Sequence, residues 1–158
     1  MSNIEVILPD GSARSLPFGA TGADLAIDIG PGLAKAALTV VVDGVNKDLN
    51  QPLLNGASVS LVTADSEAGL FTLRHSTAHV LAQAVLDLWP GATHAIGPPI
   101  ENGFYYDFEL PDGFTFTDEN LSAIEERMRE IIADDQIFWR EELSANEALD
   151  LFDDHRYK

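Results

Sequence analysis

Apolar residues alternate in short runs through the first part of this chain and recur at helical spacing through the second, so the pattern divides the sequence before any motif is considered. Ile4-Glu5-Val6-Ile7-Leu8 predicts a short strand, and Pro9-Asp10-Gly11 predicts a hairpin turn leading to a second strand around Ala13–Leu16. Thr21 is placed to cap a short helix over Gly22–Asp28, which Gly30-Pro31-Gly32 breaks, with another helical turn over Leu33–Leu38. The β-branched run Thr39-Val40-Val41-Val42, closed by Asp43-Gly44, predicts a strand, and the period-two stretch Gly56–Val62 predicts a final half-buried one. Hairpin, helix, strand, loop, strand is the order of a small ubiquitin-like roll. This part holds no histidine and only scattered acids, which predicts a binding or docking module rather than a catalytic one.

The small, polar stretch Thr63–Gly69 marks the predicted boundary. Beyond it Leu70, Leu73, Thr77, Val80, Leu81, Ala84, Val85 and Leu88 follow helical spacing until Pro90-Gly91 ends the run. Gly103–Phe108 predicts an aromatic strand, Pro111-Asp112-Gly113 a turn, and Leu121, Ile124, Met128, Ile131 and Ile132 an amphipathic helix capped by Thr117 or Asp118. Ile137–Arg140 predicts another strand, and Ser144 with Glu147 has the spacing of a capping box opening a last helix through Leu151. The predicted class is α+β, a β-grasp module over residues 1–64 followed by an α+β domain over 69–158. The last helix has no evident partner, so the second domain reads as incomplete.

Composition then excludes several classes. The chain has 158 residues and no cysteine, which removes disulfides and thiolate metal sites and fits a reducing, cytoplasmic setting. No apolar run approaches the ~18 residues of a membrane span, so no membrane partner is expected. Nine basic residues against 26 acidic ones give a net charge of -17, which argues against a broad phosphate-binding surface. A nucleic-acid partner would have to be bound by local geometry or by parts of a larger protein.

Candidate chemistry sits at the head of the long helix. His75 and His79 are four residues apart and project from one face, one turn above each other. Imidazoles so placed suit proton transfer, metal ligation or the holding of a polar ligand. The metalloprotease pattern needs Glu after the first His, where this chain has Ser76, and zinc needs further ligands that the spacing of His94 and His155 does not recommend. The segment Thr93–Gly103 reads as a stiff loop that can wall a pocket, with Gly97 and Gly103 allowing close backbone approach or unusual φ. On a strand, Tyr105 and Tyr106 would face opposite ways, one to the core and one to solvent or a pocket. Arg74 is most simply a surface charge. Spacing alone leaves the histidines open between a catalytic pair, a metal pair and a chance alignment.

Taken together, these segments resemble the N-terminal region of bacterial threonyl-tRNA synthetases over essentially the whole chain. Asp28-Ile29-Gly30-Pro31-Gly32-Leu33-Ala34-Lys35-Ala36 is similar to that family's ubiquitin-like TGS module. Arg74-His75-Ser76-Thr77-Ala78-His79, Ala95-Ile96-Gly97-Pro98 and Asn102-Gly103-Phe104-Tyr105-Tyr106-Asp107 are similar to the start of its editing domain. The resemblance implies a parent enzyme that attaches threonine to tRNA using ATP, and a proofreading region that hydrolyses mischarged seryl-tRNA. It implies catalytic roles for His75 and Lys158 and substrate-binding roles for His79, Gly97 and Tyr106, with no metal in this region. It further implies the tRNA acceptor end as partner, a homodimer formed through other domains, and ATP, magnesium and zinc held in a separate catalytic domain.

The family's editing pocket is completed by a Cys-x-x-x-His segment, which this sequence lacks along with the class II catalytic motifs. The chain alone is therefore expected neither to aminoacylate nor to edit efficiently. Three rivals remain at this stage: a trans-editing deacylase of the alanyl type, a regulatory module built on TGS, and a metal-binding protein using His75 and His79. The Walker-type Gly-x-x-x-x-Gly-Lys loop of a GTPase is absent.

Overall fold

The computed structural model describes residues 2–137 and 141–153, which form two compact units divided between Leu73 and Arg74. The first opens with β1 (Asn3–Ile7) and β2 (Ala13–Pro17), paired antiparallel from Asn3↔Pro17 to Ile7↔Ala13. Their turn forms where the sequence placed it. The Leu8 N–H donates to the Ser12 carbonyl at 2.8 Å, Asp10 accepts from both the N–H and the hydroxyl of Ser12, and Gly11 takes φ +81°. Those two bonds from Ser12 hold the Asp10 carboxyl below its ordinary value.

Helix α1 (Gly22–Ile29) begins at Thr21, whose N–H and hydroxyl both donate to the Asp24 carboxylate in a capping box. Gly30 separates it from α2 (Pro31–Ala36), which starts two residues earlier than expected. Pro31 sits at the first helical position, where its fixed φ suits the helix and its missing N–H costs nothing. Ala37 and Leu38 consequently join β3 (Ala37–Val42) rather than the helix.

Asp43-Gly44 does not simply close a strand. With φ +50° and +83° these residues make a two-residue hairpin turn into β4 (Val45–Lys47), an element the pattern did not reveal. Strand β5 (Val59–Thr63) lies on the other side of β3, giving the order β4-β3-β5. A parallel bridge from Ile7 to Ser58 links β1 to this sheet, with the Ile7 N–H donating to Ala57 O at 2.9 Å. Alternate residues Ile4, Val6, Val40, Val42 and Val59 face one core with Leu16, Leu25 and Leu53. Gly22 lets α1 approach that core, because a Cβ there would lie 2.9 Å from Val40. The arrangement is the expected β-grasp roll.

Helix α3 (Glu67–Leu88) starts in the first unit and continues into the second. Its opening turn is fixed by Ser66, whose hydroxyl donates to Thr63 O and accepts from the Gly69 N–H. Of the expected stripe, Ala84 and Val85 are buried and Val80 and Leu81 half-buried, whereas Leu70, Leu73 and Leu88 stay at least a third exposed. Ala78 and Ala82 are buried beside them, small residues that hydropathy spacing underweights.

In the second unit β6 (Thr93–His94) pairs with β9 (Phe108–Glu109), and β7 (Pro99–Ile100) pairs with β8 (Gly103–Phe104). The single aromatic strand expected over Gly103–Phe108 is therefore two short strands in two different sheets. Gly103-Phe104 pair locally, Ile100 with Gly103, whereas Phe108-Glu109 pair across a longer loop, His94 with Phe108, so the chain changes partner at Tyr105–Asp107. Pro111–Gly113 forms a 3₁₀ turn with Asp112 at φ +57°. Thr117 opens α4 (Asp118–Ala133), its N–H and hydroxyl donating to the Asn120 side chain.

Val85, Ala92 and Ile124 form the second core, covered by Leu81, Trp89, Phe108 and Met128. Arg127 ties α4 to α3 by donating from two guanidinium nitrogens to Asp87, at 2.8 and 2.9 Å. Helix α5 (Ala145–Leu151) has the expected Ser144–Glu147 capping box. Of the predicted strand at Ile137–Arg140, Ile137 is not in a strand and the rest lies outside the described residues.

Candidate functional site

His75 and His79 stand on the first turns of α3 within the second unit, both exposed. Helical spacing brings their rings together as a stack, centroids 4.7 Å apart with planes inclined by 21°. One turn further along the same face comes Gln83. Between this face and the end of α4 runs a groove of about 220 Å³, lined by His79, Gln83, Ile131, Ile132 and Asp135. An exposed imidazole pair beside a partly apolar groove can accept and return a proton while neighbouring amide groups hold a polar ligand.

Gly97 and Tyr106 form a second grouping. A Cβ at residue 97 would overlap Cγ, Cδ2 and Cε2 of the Tyr106 ring, so the absence of a side chain is what seats that ring. Of the two reasons offered for glycine in this loop, Gly97 serves close approach and Gly103, at φ +146°, serves backbone freedom. The Tyr106 ring stacks on Phe108 at 4.9 Å and lies tilted against His94 at 5.7 Å. Pairing of β6 with β9 sets His94 opposite Phe108, and the Ala95 N–H donates to Asp107 O at 3.0 Å.

His94 is the residue that spacing missed. It reaches Tyr106 only through the β6–β9 pairing, for which a two-residue strand gives no periodic signal. Tyr105 and Tyr106 do face different surroundings, Tyr105 being 53% exposed and Tyr106 half-buried.

Burial raises the Tyr106 phenol above its ordinary value of 10.0. The folded state then holds the phenolic proton more tightly than the unfolded chain. The resulting stability is fully present below pH 10 and declines as pH rises through the folded-state value. Because the ring is only partly enclosed, the effect is small after solvent screening. An absorbance titration of the three tyrosines should contain one late component that Tyr106→Phe removes. A titration curve unchanged by that substitution would assign the late component elsewhere.

The four described candidates thus appear as two groupings, His75 with His79 and Gly97 with Tyr106. Lys158 lies outside the described residues. Among the described residues no three His, Cys, Asp or Glu side chains come close enough to hold a metal ion. Among the described residues no helix is long and apolar enough to cross a membrane.

Residues 4–63 match the TGS domain family. Over 149 residues the chain is 54% identical to the threonine–tRNA ligase of Rhodospirillum rubrum, a match covering 94% of this chain and 23% of that relative. It is 51% identical over 152 residues to the threonine–tRNA ligase of Citrifermentans bemidjiense (96% of this chain, 24% of the relative). It is 50% identical over 151 residues to that of Maricaulis maris (96% and 23%). The chain spans about a quarter of the length of the curated relatives it matches.

Proposed function

We propose that this chain, which carries a TGS domain and is similar over nearly its whole length to threonine–tRNA ligases, is the proofreading-side N-terminal region of such an enzyme. In this reading the whole protein attaches threonine to its tRNA using ATP in the cytoplasm. Residues 1–64 are the TGS module, and residues 69–158 begin a domain that hydrolyses seryl-tRNA made in error. The observation that carries the reading is the stacked, exposed His75–His79 pair within a sequence so similar to these ligases.

Chemistry supplies the need. Serine differs from threonine by one methyl group, which a binding pocket discriminates by only about 1–3 kcal/mol. A pocket that demands a hydroxyl rejects valine but accepts serine, so a second, hydrolytic site is the remedy. There a water attacks the ester carbonyl carbon, His75 takes the proton from that water, and the same imidazole returns it to the ribose oxygen as the carbon–oxygen ester bond breaks, leaving free serine and the ribose hydroxyl. His79 holds the aminoacyl-adenosine end, and Gly97 with Tyr106 forms part of the wall. The Lys158 ammonium is assigned to orienting the water or steadying the developing oxyanion.

ATP, magnesium and zinc belong in this reading to a separate catalytic domain, and the roles assigned to this chain are carried by its own side chains. The tRNA acceptor end is the macromolecular partner, and dimerisation belongs to parts of the enzyme not represented in this chain. With a net charge of -17, tRNA is held by local geometry and by those other parts.

The test uses an adenosine carrying serine through a non-hydrolysable 3′-amide. The imidazole resonances of His75 and His79 should shift on its addition, and His79→Ala should weaken binding. Unmoved resonances would overturn the site. Mischarged seryl-tRNA incubated with the chain should release serine at close to the uncatalysed rate. Rapid turnover abolished by His75→Ala would show instead that the chain edits unaided.

A further inference from the structure

The first unit presents an apolar groove that the proofreading reading does not use. It lies between the end of β2 and the outer face of α1, has a volume of about 440 Å³, and is lined by Phe18, Ala20, Asp24, Ile27 and Asp28. Phe18 is 77% exposed and Ile27 65% exposed, while Leu16 and Ala20 beneath them are buried. Isolated surface hydrophobes need no explanation, but two large ones flanking a groove on adjacent elements do.

The groove is held in place before anything enters it. The Phe18 N–H donates to Ser2 O at 3.0 Å, the Ala20 N–H donates to Pro17 O at 3.0 Å, and Gly19 turns the chain at φ +85°. A partner would therefore meet a pre-ordered surface, which reduces the entropy lost on binding.

The rim decides what kind of partner fits. The Asp24 carboxylate is fixed there by its bonds from Thr21, at 2.8 and 2.9 Å. Asp28 is paired with Arg14 only at 3.5 Å, with both side chains more than 40% exposed, so an incoming cation can displace that pair. Carboxylates on the rim repel phosphate, which disfavours RNA at this face. They also repel a second copy of a chain whose net charge is -17.

We propose that this groove is a docking surface for a protein segment that carries an apolar side chain between lysines or arginines. The apolar side chain enters between Phe18 and Ile27, and the flanking cations meet Asp24 and Asp28.

A fluorescent helical peptide of alternating leucine and lysine turns is the probe, titrated into the 158-residue chain. Phe18→Ser with Ile27→Ser should weaken its binding about tenfold or more. Both positions are exposed, so an unchanged thermal melt establishes that the variant is folded. A peptide of equal charge with leucine replaced by glutamine should bind about tenfold more weakly, and Asp28→Asn should lessen the salt dependence. Equal binding of both peptides, or affinity unaltered by the double substitution, would reduce the effect to general charge attraction and overturn the proposal. A concentration-dependent dimer or tRNA binding lost in the same variant would overturn it in favour of self-association or RNA. None of these readouts depends on His75 or His79, so failure here leaves the proofreading reading standing.

Discussion

Gly97→Ala should destabilise the second unit by about 2 kcal/mol and displace the Tyr106 ring. The added Cβ would fall on Cγ, Cδ2 and Cε2 of that ring. The ring cannot yield cheaply, because Phe108 is stacked on it and His94 is packed against its side. Gly97 itself is not in the left-handed region, so loss of space is the whole cause. Urea unfolding and near-ultraviolet circular dichroism measure the two effects. A double-mutant cycle isolates the contact, since Gly97→Ala introduced into Tyr106→Ala should cost less than about 0.5 kcal/mol. An equal cost in both backgrounds would show that the tyrosine is not what the glycine accommodates.

Leu25→Ala is expected to remove about 2–5 kcal/mol from the first unit. Leu25 is fully buried among Val6, Val40 and Val59, and alanine is at least as good a helix former as leucine, so nothing in α1 itself offsets the cavity. A unit of roughly 60–70 residues is only marginally stable on its own. Amides of β1, β3 and β5 should therefore lose most of their hydrogen-exchange protection, while those of α4 keep theirs. Ile27→Ala on the exposed face of the same helix should change stability by less than about 0.5 kcal/mol. Comparable losses from the two substitutions would contradict the burial that distinguishes them.

Features decided by residues close in sequence were legible without a structure. The Pro9-Asp10-Gly11 turn, the Thr21 cap and the Ser144–Glu147 box each depend on donors and acceptors within four residues, and all three form. Features decided by the choice of strand partner were not. Strand β4 escaped although its pairing is local, Val42 with Val45, because Asp43-Gly44 reads equally as an ending or as a hairpin and a three-residue strand carries no period-two signal. The aromatic run from Gly103 to Phe108 splits because β7 and β6 claim its two ends.

The site divides in the same way. That His75 and His79 share one helix face could be read directly from their spacing, whereas the stacking of their rings could not. That Gly97 seats Tyr106 became clear only with the ring in place, and His94 meets that ring through a two-residue strand pairing that leaves no periodic trace.

The stretch from Asn55 to Thr63 bonds to both earlier parts of the first unit. Asn55 accepts from the Glu5 N–H and Gly56 donates to Glu5 O, while Val59 to Thr63 pair with β3. The last strand made is thus the one that joins the two hairpins. During synthesis the Ala23 N–H can already donate to Leu49 O and the Leu53 N–H to Ala20 O, but the β1–β2 and β3–β4 hairpins are not joined through the sheet until this stretch leaves the ribosome. At about 5–20 residues per second, the roughly 15 residues between β4 and the end of β5 impose a delay on the order of one to three seconds. During that interval the nascent chain is most open to chaperones and most exposed to mispairing.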